Sequence, residues 1–159
     1  MENQTKTVGK EVNDLALRPM KIRLMLVREG RARKAASVTN PKDAFNLLLK
    51  EARGADREKL WRIDLDTRSN VLGFEEVSVG TINASLVHPR EVFKGAILQN
   101  AAAIIIVHNH PSQDTTPSAE DKDATRRIQR SGELLGIPLL DHLIVADRGF
   151  YSFKDGGLL

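Results

Sequence analysis

Apolar and polar residues follow two different periods along this chain, and together they predict alternating helices and strands. Three segments with apolar residues at helical spacing follow residues typical of helix starts, namely Asn40-Pro41, Pro89 and Ser118. The predicted helices run from Pro41 until Gly54 ends the first, from Arg90 to about Asn100, and from Ala119 to about Leu135, before Gly136. The predicted strands are Lys21 to Arg28, Leu60 to Leu65, Val71 to Val79, Thr81 to Val87, Ala102 to Val107, Leu139 to Ala146 and Gly149 to Phe153. Helices that alternate with strands around one central sheet predict a three-layer α/β or α+β domain.

The first 39 residues contain only one short stretch with the pattern of a regular element. Residues 1–20 are polar and aperiodic, and we expect a flexible N-terminal tail there. Residues 21–39 combine the predicted strand at Lys21 to Arg28 with a basic loop. Residues 40–159 then form the folded domain, in line with the roughly 100–200 residues of a typical single domain.

Composition excludes several classes of site and of location. No apolar run approaches the roughly 20 residues that a membrane helix needs, and the N-terminus lacks the apolar core of a signal peptide. We therefore expect a soluble, cytoplasmic protein that makes no membrane contact. The chain has no cysteine, which rules out disulfides, thiol nucleophiles, iron–sulfur clusters and thiolate zinc sites. A transition-metal site would have to use imidazole and carboxylate groups.

The net charge of +3 is distributed unevenly along the sequence. Residues 1–57 carry 13 Lys and Arg against 7 Asp and Glu, whereas the remaining 102 residues carry 11 against 14. A basic N-terminal third could contact the phosphates of a nucleic acid. A solvated tail and a charged surface loop, Arg28 to Lys34, explain the same charge. We favour this second interpretation because no aromatic residues are interleaved for base stacking.

The most informative segment is His108-Asn109-His110, at the end of a predicted buried strand. In extended backbone, residues i and i+2 point the same way and lie about 6.6 Å apart. Two imidazoles placed in this way can converge on one metal ion. Pro111 cannot extend a central ladder, so the strand must end there and leave the histidine pair at its open tip.

A third ligand is suggested by the start of the helix that follows. Ser118 is predicted to be the N-cap, and Asp121 at the third helical position is typical of a capping box. An acidic residue in this first turn is also well placed to fold back toward the histidines. Asp114 and Asp123 are alternatives by composition, although Asp114 comes early on the loop and Asp123 lies further around the helix.

These residues resemble a known family. His108-x-His110, seven residues, Ser118, two residues and Asp121 match the core motif of the JAB/MPN+ (JAMM) zinc metallopeptidases. The string HNHPSQDTTPSAEDKDAT looks like the bacterial RadC branch, and LVHPREVFKGAILQNAAAIIIV, LLGIPLLDHLIV and YSFKDGGLL are similar to it as well. The resemblance runs from about Asn40 to the C-terminus. Gln113 departs from it, since a glycine usually follows HNHPS. Residues 1–39 offer no counterpart of the helix-hairpin-helix region of full-length RadC proteins, so the chain resembles a short form.

The resemblance implies a fold and a mechanism. The fold would be JAB/MPN-like, with a mixed sheet between helices and a cytidine-deaminase-like architecture. One zinc ion per chain would be held by His108, His110 and Asp121, with a water in the fourth position. Ser118 would stabilise the oxyanion, and Glu58, immediately before a predicted strand, would be the general base. The expected substrate is a protein or peptide that is cut at a peptide or isopeptide bond.

Other polar residues have simpler explanations. We interpret three further glutamates as solvated surface carboxylates: Glu75, Glu76 and Glu91. His88, next to Pro89, is expected to be a surface residue at a helix start. The Asp141-His142 pair in the last buried strand is either an orienter of a zinc ligand or a core histidine bonded to backbone.

Two other functions are consistent with the sequence. The first is a nucleic-acid-associated protein of DNA repair or mobile-element biology. The second is a metal-binding scaffold without catalysis.

Overall fold

The computed structural model describes residue 21, residues 23–27, residue 29, and residues 36–80 and 87–159. Three helices and five strands lie within these ranges. They are α1 (Pro41–Ala52), β1 (Lys59–Leu65), β2 (Val71–Val79), α2 (Pro89–Leu98), β3 (Ala103–Asn109), α3 (Ala119–Leu135), β4 (Leu139–Ala146) and β5 (Gly149–Ser152). No helix among the described residues is long and apolar enough to cross a membrane.

The sequence predicted each of these eight elements. It also predicted an additional strand near the N-terminus, and that prediction is wrong. The described residues of the stretch Lys21 to Arg28, which are 21 and 23–27, belong to no strand. Leu24 and Leu26, which the alternation would bury, are 70% and 46% exposed. An alternating pattern specifies a strand only where one of its faces is buried. The predicted tail, most of the basic loop and the predicted strand from Thr81, apart from Val87, lie outside the described residues.

The five strands form one mixed sheet in the order β2-β1-β3-β4-β5. The central strand β3 is antiparallel to β1 and parallel to β4, while β2 and β5 pair antiparallel at the edges. Helix α1 packs on one face through Ala44 and Leu48, and helices α2 and α3 pack on the other through Phe93 and Ile128. The structure thus confirms the predicted mixed sheet flanked by helices.

Strand β3 determines which side chains reach each face. Ile104 and Ile106 pack with α2 and α3, whereas Ile105 and Val107 pack with α1. Because side chains alternate along a strand, His108 continues the face of Ile106 and points toward α3. The strand runs to Asn109, two residues beyond its predicted end, because His108 pairs with both β1 and β4.

A buried ion pair fills the face of β1 toward α2. Arg62 and Asp64 have fully buried side chains, and the guanidinium donates two hydrogen bonds to the Asp64 carboxylate, 2.6 and 2.8 Å long. Arg62 also donates to the Val92 carbonyl at 2.7 Å and to Glu75 at 2.8 Å. The Glu75 side chain is 43% exposed, as expected of a surface carboxylate, and it also pairs with buried Arg62, which sequence reasoning did not predict. A buried guanidinium needs acceptors for its five N–H groups, and Glu75 is one of them.

The loop between β3 and α3 contains an unusual backbone conformation at Gln113. Its φ is 67°, in the left-handed region that favours glycine, and this is the position where the sequence departs from the RadC pattern. The Gln113 side chain accepts a 2.8 Å hydrogen bond from the backbone N–H of Asp147, in the turn between β4 and β5. This bond ties the loop to the sheet and offsets part of the cost of the strained conformation.

We predict that Gln113→Ala is less stable than Gln113→Gly by about 1 kcal/mol, because both lose the bond to Asp147 but only alanine keeps a Cβ in the left-handed region. Urea unfolding of the two variants measures the difference directly. An alanine variant as stable as the glycine variant would show that this backbone is not strained.

Candidate metal centre

Three side chains from two elements and their connecting loop converge at the tip of β3. His108 is at the end of β3, His110 follows it in the loop, and Asp121 lies in the first turn of α3. The two Nε2 atoms are 2.9 Å apart. His108 Nε2 lies 3.3 Å from Asp121 Oδ1, and His110 Nε2 lies 3.5 Å from Asp121 Oδ2. Within the described residues, this is the one group of three or more such side chains placed to share a metal ion.

The two imidazole nitrogens and the carboxylate oxygens are atom types that bind metal ions. His110 Nδ1 is 2.5 Å from the backbone carbonyl of Asp114, which can only accept, so Nδ1 carries a proton. In the neutral ring the Nε2 of His110 then has a free lone pair, directed at His108 and Asp121. Bonds of 2.0–2.1 Å around a tetrahedral ion place its ligand atoms about 3.3 Å apart. The observed separations are close to that value, and two imidazoles with one carboxylate leave a fourth position open.

The charges at the site favour a bound cation. Burial raises the pKa of Asp121, but the nearby rings of His108 and His110 and the hydrogen bonds from Ser118 outweigh it and hold this pKa far below its ordinary value. Burial lowers the pKa of His108. The hydrogen bond with Asp121 raises the pKa of His110. An ionised carboxylate beside two imidazoles favours a positive charge between them, which is either a proton on His110 or a metal ion that replaces it.

Asp121 belongs to the predicted capping box and also lies beside the two histidines. Ser118 caps α3: its Oγ accepts from the N–H of Asp121 at 3.0 Å. The Ser118 N–H and hydroxyl both donate to Asp121 Oδ2, at 2.8 and 2.6 Å. The other oxygen, Oδ1, is the one nearest to His108. The capping box therefore holds the carboxylate through Oδ2, which also lies 3.5 Å from His110 Nε2, and leaves Oδ1 free to face His108.

The two alternative aspartates lie elsewhere. The Asp114 carboxylate is exposed and accepts from the backbone N–H of Thr116 at 2.9 Å, so only the Asp114 carbonyl contacts the site. Asp123 is exposed on α3 and forms an ion pair with Arg126. Neither carboxylate joins the group formed by the two histidines and Asp121.

Glu58 lies immediately before β1. Its negative charge acts on both His108 and His110 and favours their protonated forms. The buried Asn109 side chain holds the backbone on either side of Glu58: Oδ1 accepts from the Lys59 N–H at 2.8 Å, and Nδ2 donates to the Arg57 carbonyl at 3.1 Å. Sequence reasoning missed Asn109, although its place between the two histidines puts it on the opposite face of the strand.

The remaining candidates lie away from the three ligand atoms. Glu76 pairs with Lys59, and Glu91 pairs with Lys94 in exposed ion pairs. His88 is exposed and caps α2, accepting from the Arg90 N–H at 3.1 Å.

Asp141 and His142, adjacent in β4, have separate environments. The Asp141 carboxylate accepts from Ser152 Oγ at 2.6 Å and from the Lys154 N–H at 3.0 Å, and burial raises its pKa. The His142 ring instead contacts His108 and Thr125. Thr125 was missed by sequence reasoning. Its spacing of four residues from Asp121, one helical turn on the same face, was the available signal.

The sequence matches one family model and several known proteins. The chain matches the RadC-like JAB domain family over residues 38–158. It is 53% identical over 122 residues to a UPF0758 protein of Moorella thermoacetica, an alignment that covers 77% of this chain and 53% of that protein. A UPF0758 protein of Desulfitobacterium hafniense is 49% identical over 122 residues, covering 77% and 54% of the two chains. One of Caldanaerobacter subterraneus is 45% identical over 135 residues, covering 85% and 57%.

The matched region contains every residue of the site described above, from Glu58 to His142. The chain spans about half the length of the curated relatives it matches. On the extent of these matches, the chain belongs to the RadC-like JAB domain family.

Proposed function

We propose that this chain is a zinc-dependent hydrolase of the JAMM type, which cuts a peptide or isopeptide bond in a protein or peptide substrate. The observation that supports it most is the convergence of three side chains. The Nε2 atoms of His108 and His110 are 2.9 Å apart, and each lies within 3.5 Å of one oxygen of the Asp121 carboxylate. Three protein ligands with an open position are typical of catalytic rather than structural zinc. Membership of the RadC-like JAB domain family adds to this support.

The chemistry divides between the metal and the chain. When bound, zinc supplies a Lewis acid that polarises a carbonyl and lowers the pKa of a bound water to about 7. His108, His110 and Asp121 would hold the ion. Glu58 would accept the proton released by the attacking water and then pass it to the departing amine. The contacts of Asn109 on both sides of Glu58 would keep this carboxylate facing the histidines.

Ser118 would have a second task during the reaction. Its hydroxyl donates to Asp121 Oδ2 in this structure. Turning this hydroxyl toward the substrate would direct its proton at the oxygen that gains negative charge as the carbonyl is attacked. The backbone N–H of Ser118 would continue to hold Asp121 in place, because it donates to the same carboxylate oxygen at 2.8 Å.

We predict that the purified protein binds about one equivalent of zinc and that Asp121→Asn weakens binding more than about 100-fold, since even an outer partner of a ligand is worth 10–100-fold. The asparagine keeps an oxygen that can accept from Ser118, so α3 should still be capped. Zinc affinity is measured by competition with a chromophoric chelator. Asp123→Asn, two residues further along the same helix, is the matched control and should bind zinc as the wild type does. A wild-type protein that binds no zinc would refute the proposed function.

We predict that Glu58→Gln retains zinc but loses about 10²–10⁴-fold in hydrolysis, because the amide cannot take up the proton. The assay uses a library of internally quenched peptides, with normal and with lysine side-chain linkages, and metal content is measured on the same samples. Glu76→Gln is the control, since Glu76 is paired with Lys59 at an exposed site. Unchanged hydrolysis by the Glu58 variant would refute its role as the base.

A second candidate function is association with nucleic acid, suggested by the excess of basic residues over residues 1–57. We predict that any such binding to duplex DNA weakens steeply with salt, since it depends on phosphate contacts and the release of counterions. Deleting residues 1–39 should then abolish it. Fluorescence anisotropy with a labelled duplex at several salt concentrations measures both effects, and absence of binding at low salt would end this proposal.

A further inference from the structure

We infer that Thr125 and His142 are positioning residues that hold His108 in the one tautomer able to bind the metal. The inference rests on the proposed function, because it concerns the same metal centre. It is carried by a chain of three short, buried hydrogen bonds that runs from the backbone of α3 through β4 to His108 on β3.

The direction of the first bond follows from the acceptor. Thr125 Oγ1 lies 2.6 Å from the backbone carbonyl oxygen of Asp121, one helical turn earlier. A carbonyl oxygen can only accept, so the single hydroxyl proton of Thr125 is used in this bond. Thr125 Oγ1 is also 2.6 Å from His142 Nδ1. With its proton already donated, the hydroxyl accepts here, and Nδ1 of His142 must carry a hydrogen.

The direction of the third bond follows from the tautomer of His142. The ring is 2% exposed and stacks on Phe153, with centroids 4.5 Å apart and planes 16° from parallel. In the neutral ring with its hydrogen on Nδ1, the Nε2 of His142 has a lone pair. His108 Nδ1 is 2.7 Å from this Nε2 and therefore donates its hydrogen to it. Consequently, the Nε2 of His108 is left with a free lone pair.

That lone pair faces the candidate metal position. His108 Nε2 is 2.9 Å from His110 Nε2 and 3.3 Å from the Asp121 carboxylate. Asp121 thus contributes twice, through its carboxylate in the site and through the carbonyl at which the chain of bonds begins. Two ligands on different elements are linked by hydrogen bonds before a metal arrives. Ordering the ligands in advance reduces the cost of binding.

Removing the Thr125 hydroxyl gives a specific consequence. In Thr125→Val, a variant of nearly the same shape, His142 Nδ1 loses its acceptor. His142 can then place its proton on Nε2 and donate to His108 Nδ1. This would move the proton of His108 to its Nε2, the atom that the metal needs. A residue that only fills space in the core would not produce this change of tautomer.

The experiment measures zinc affinity and tautomer on the full chain. We expect Thr125→Val to bind zinc about 10–100-fold more weakly than the wild type, and Thr125→Ser, which keeps the hydroxyl, to bind as the wild type does. Thr116→Val, the same change at an exposed threonine, is the matched control. In the metal-free protein labelled with ¹⁵N-histidine, NMR should show the proton of His108 on Nδ1 in the wild type and on Nε2 in Thr125→Val.

A second pair of variants tests the same inference if Thr125→Val fails to fold. His142→Gln offers a side-chain oxygen to the Nδ1 hydrogen of His108, whereas His142→Leu offers none. We therefore expect the glutamine variant to retain more zinc affinity than the leucine variant.

The outcomes separate this inference from the proposed function. Wild-type zinc binding together with equal affinity and an unchanged tautomer in Thr125→Val, or equal affinity of the two His142 variants, would overturn the inference and leave the metal centre intact. A wild-type protein without zinc affinity would refute the proposed function instead. The tautomer of metal-free His108 would still decide whether Thr125 and His142 position this ring.

Discussion

The structure of the site depends on one constraint, which is that His108 is a polar ring with no access to solvent. A buried polar atom without a partner is costly, so each ring nitrogen must find its partner within the protein. Nδ1 contacts His142, and Nε2 faces His110 and Asp121. The paired strands on both sides of β3 fix the backbone of His108, so the neighbouring elements have to supply these partners. The polar contacts among β3, α3 and β4 follow from this requirement.

The start of α3 meets this requirement with one carboxylate, which belongs both to the capping box and to the candidate metal site. In an ordinary capping box the acidic side chain returns to the N-cap residue and faces solvent. Here Asp121 is 3% exposed, with Oδ2 held by Ser118 and Oδ1 directed at His108. The cap removes much of the freedom of this side chain. A substitution at Ser118 would therefore affect the beginning of the helix and the position of a ligand together.

The sequence allowed prediction where local sequence signals alone determine a helix or a strand. Val71–Val79 and Ala119–Leu135 were predicted with the bounds that the structure has, because alternation, capping and terminating glycine agreed. The grouping of His108, His110 and Asp121 was also predictable, from spacing and from the family resemblance. Prediction failed where the structure depends on contacts between residues that are far apart in the sequence. The stretch from Lys21 has strand periodicity but no buried face, and Glu75 is drawn to Arg62, which lies on another strand. The roles of Thr125 and Asn109 depend on contacts across the sheet that spacing alone does not show.

The alternation of side chains along β3 explains how one short segment can organise both halves of the proposed reaction. His108 points toward α3 and joins the ligand group, while Asn109, the next residue, points to the other side and bonds to Arg57 and Lys59. Glu58 lies between those two backbone contacts. The same strand end therefore sets the position of a candidate metal ligand and of the proposed base, although Glu58 comes from a different part of the chain. A shift of β3 by one residue would exchange the two faces, and it would separate His108 from Asp121 and Asn109 from the Glu58 segment at once.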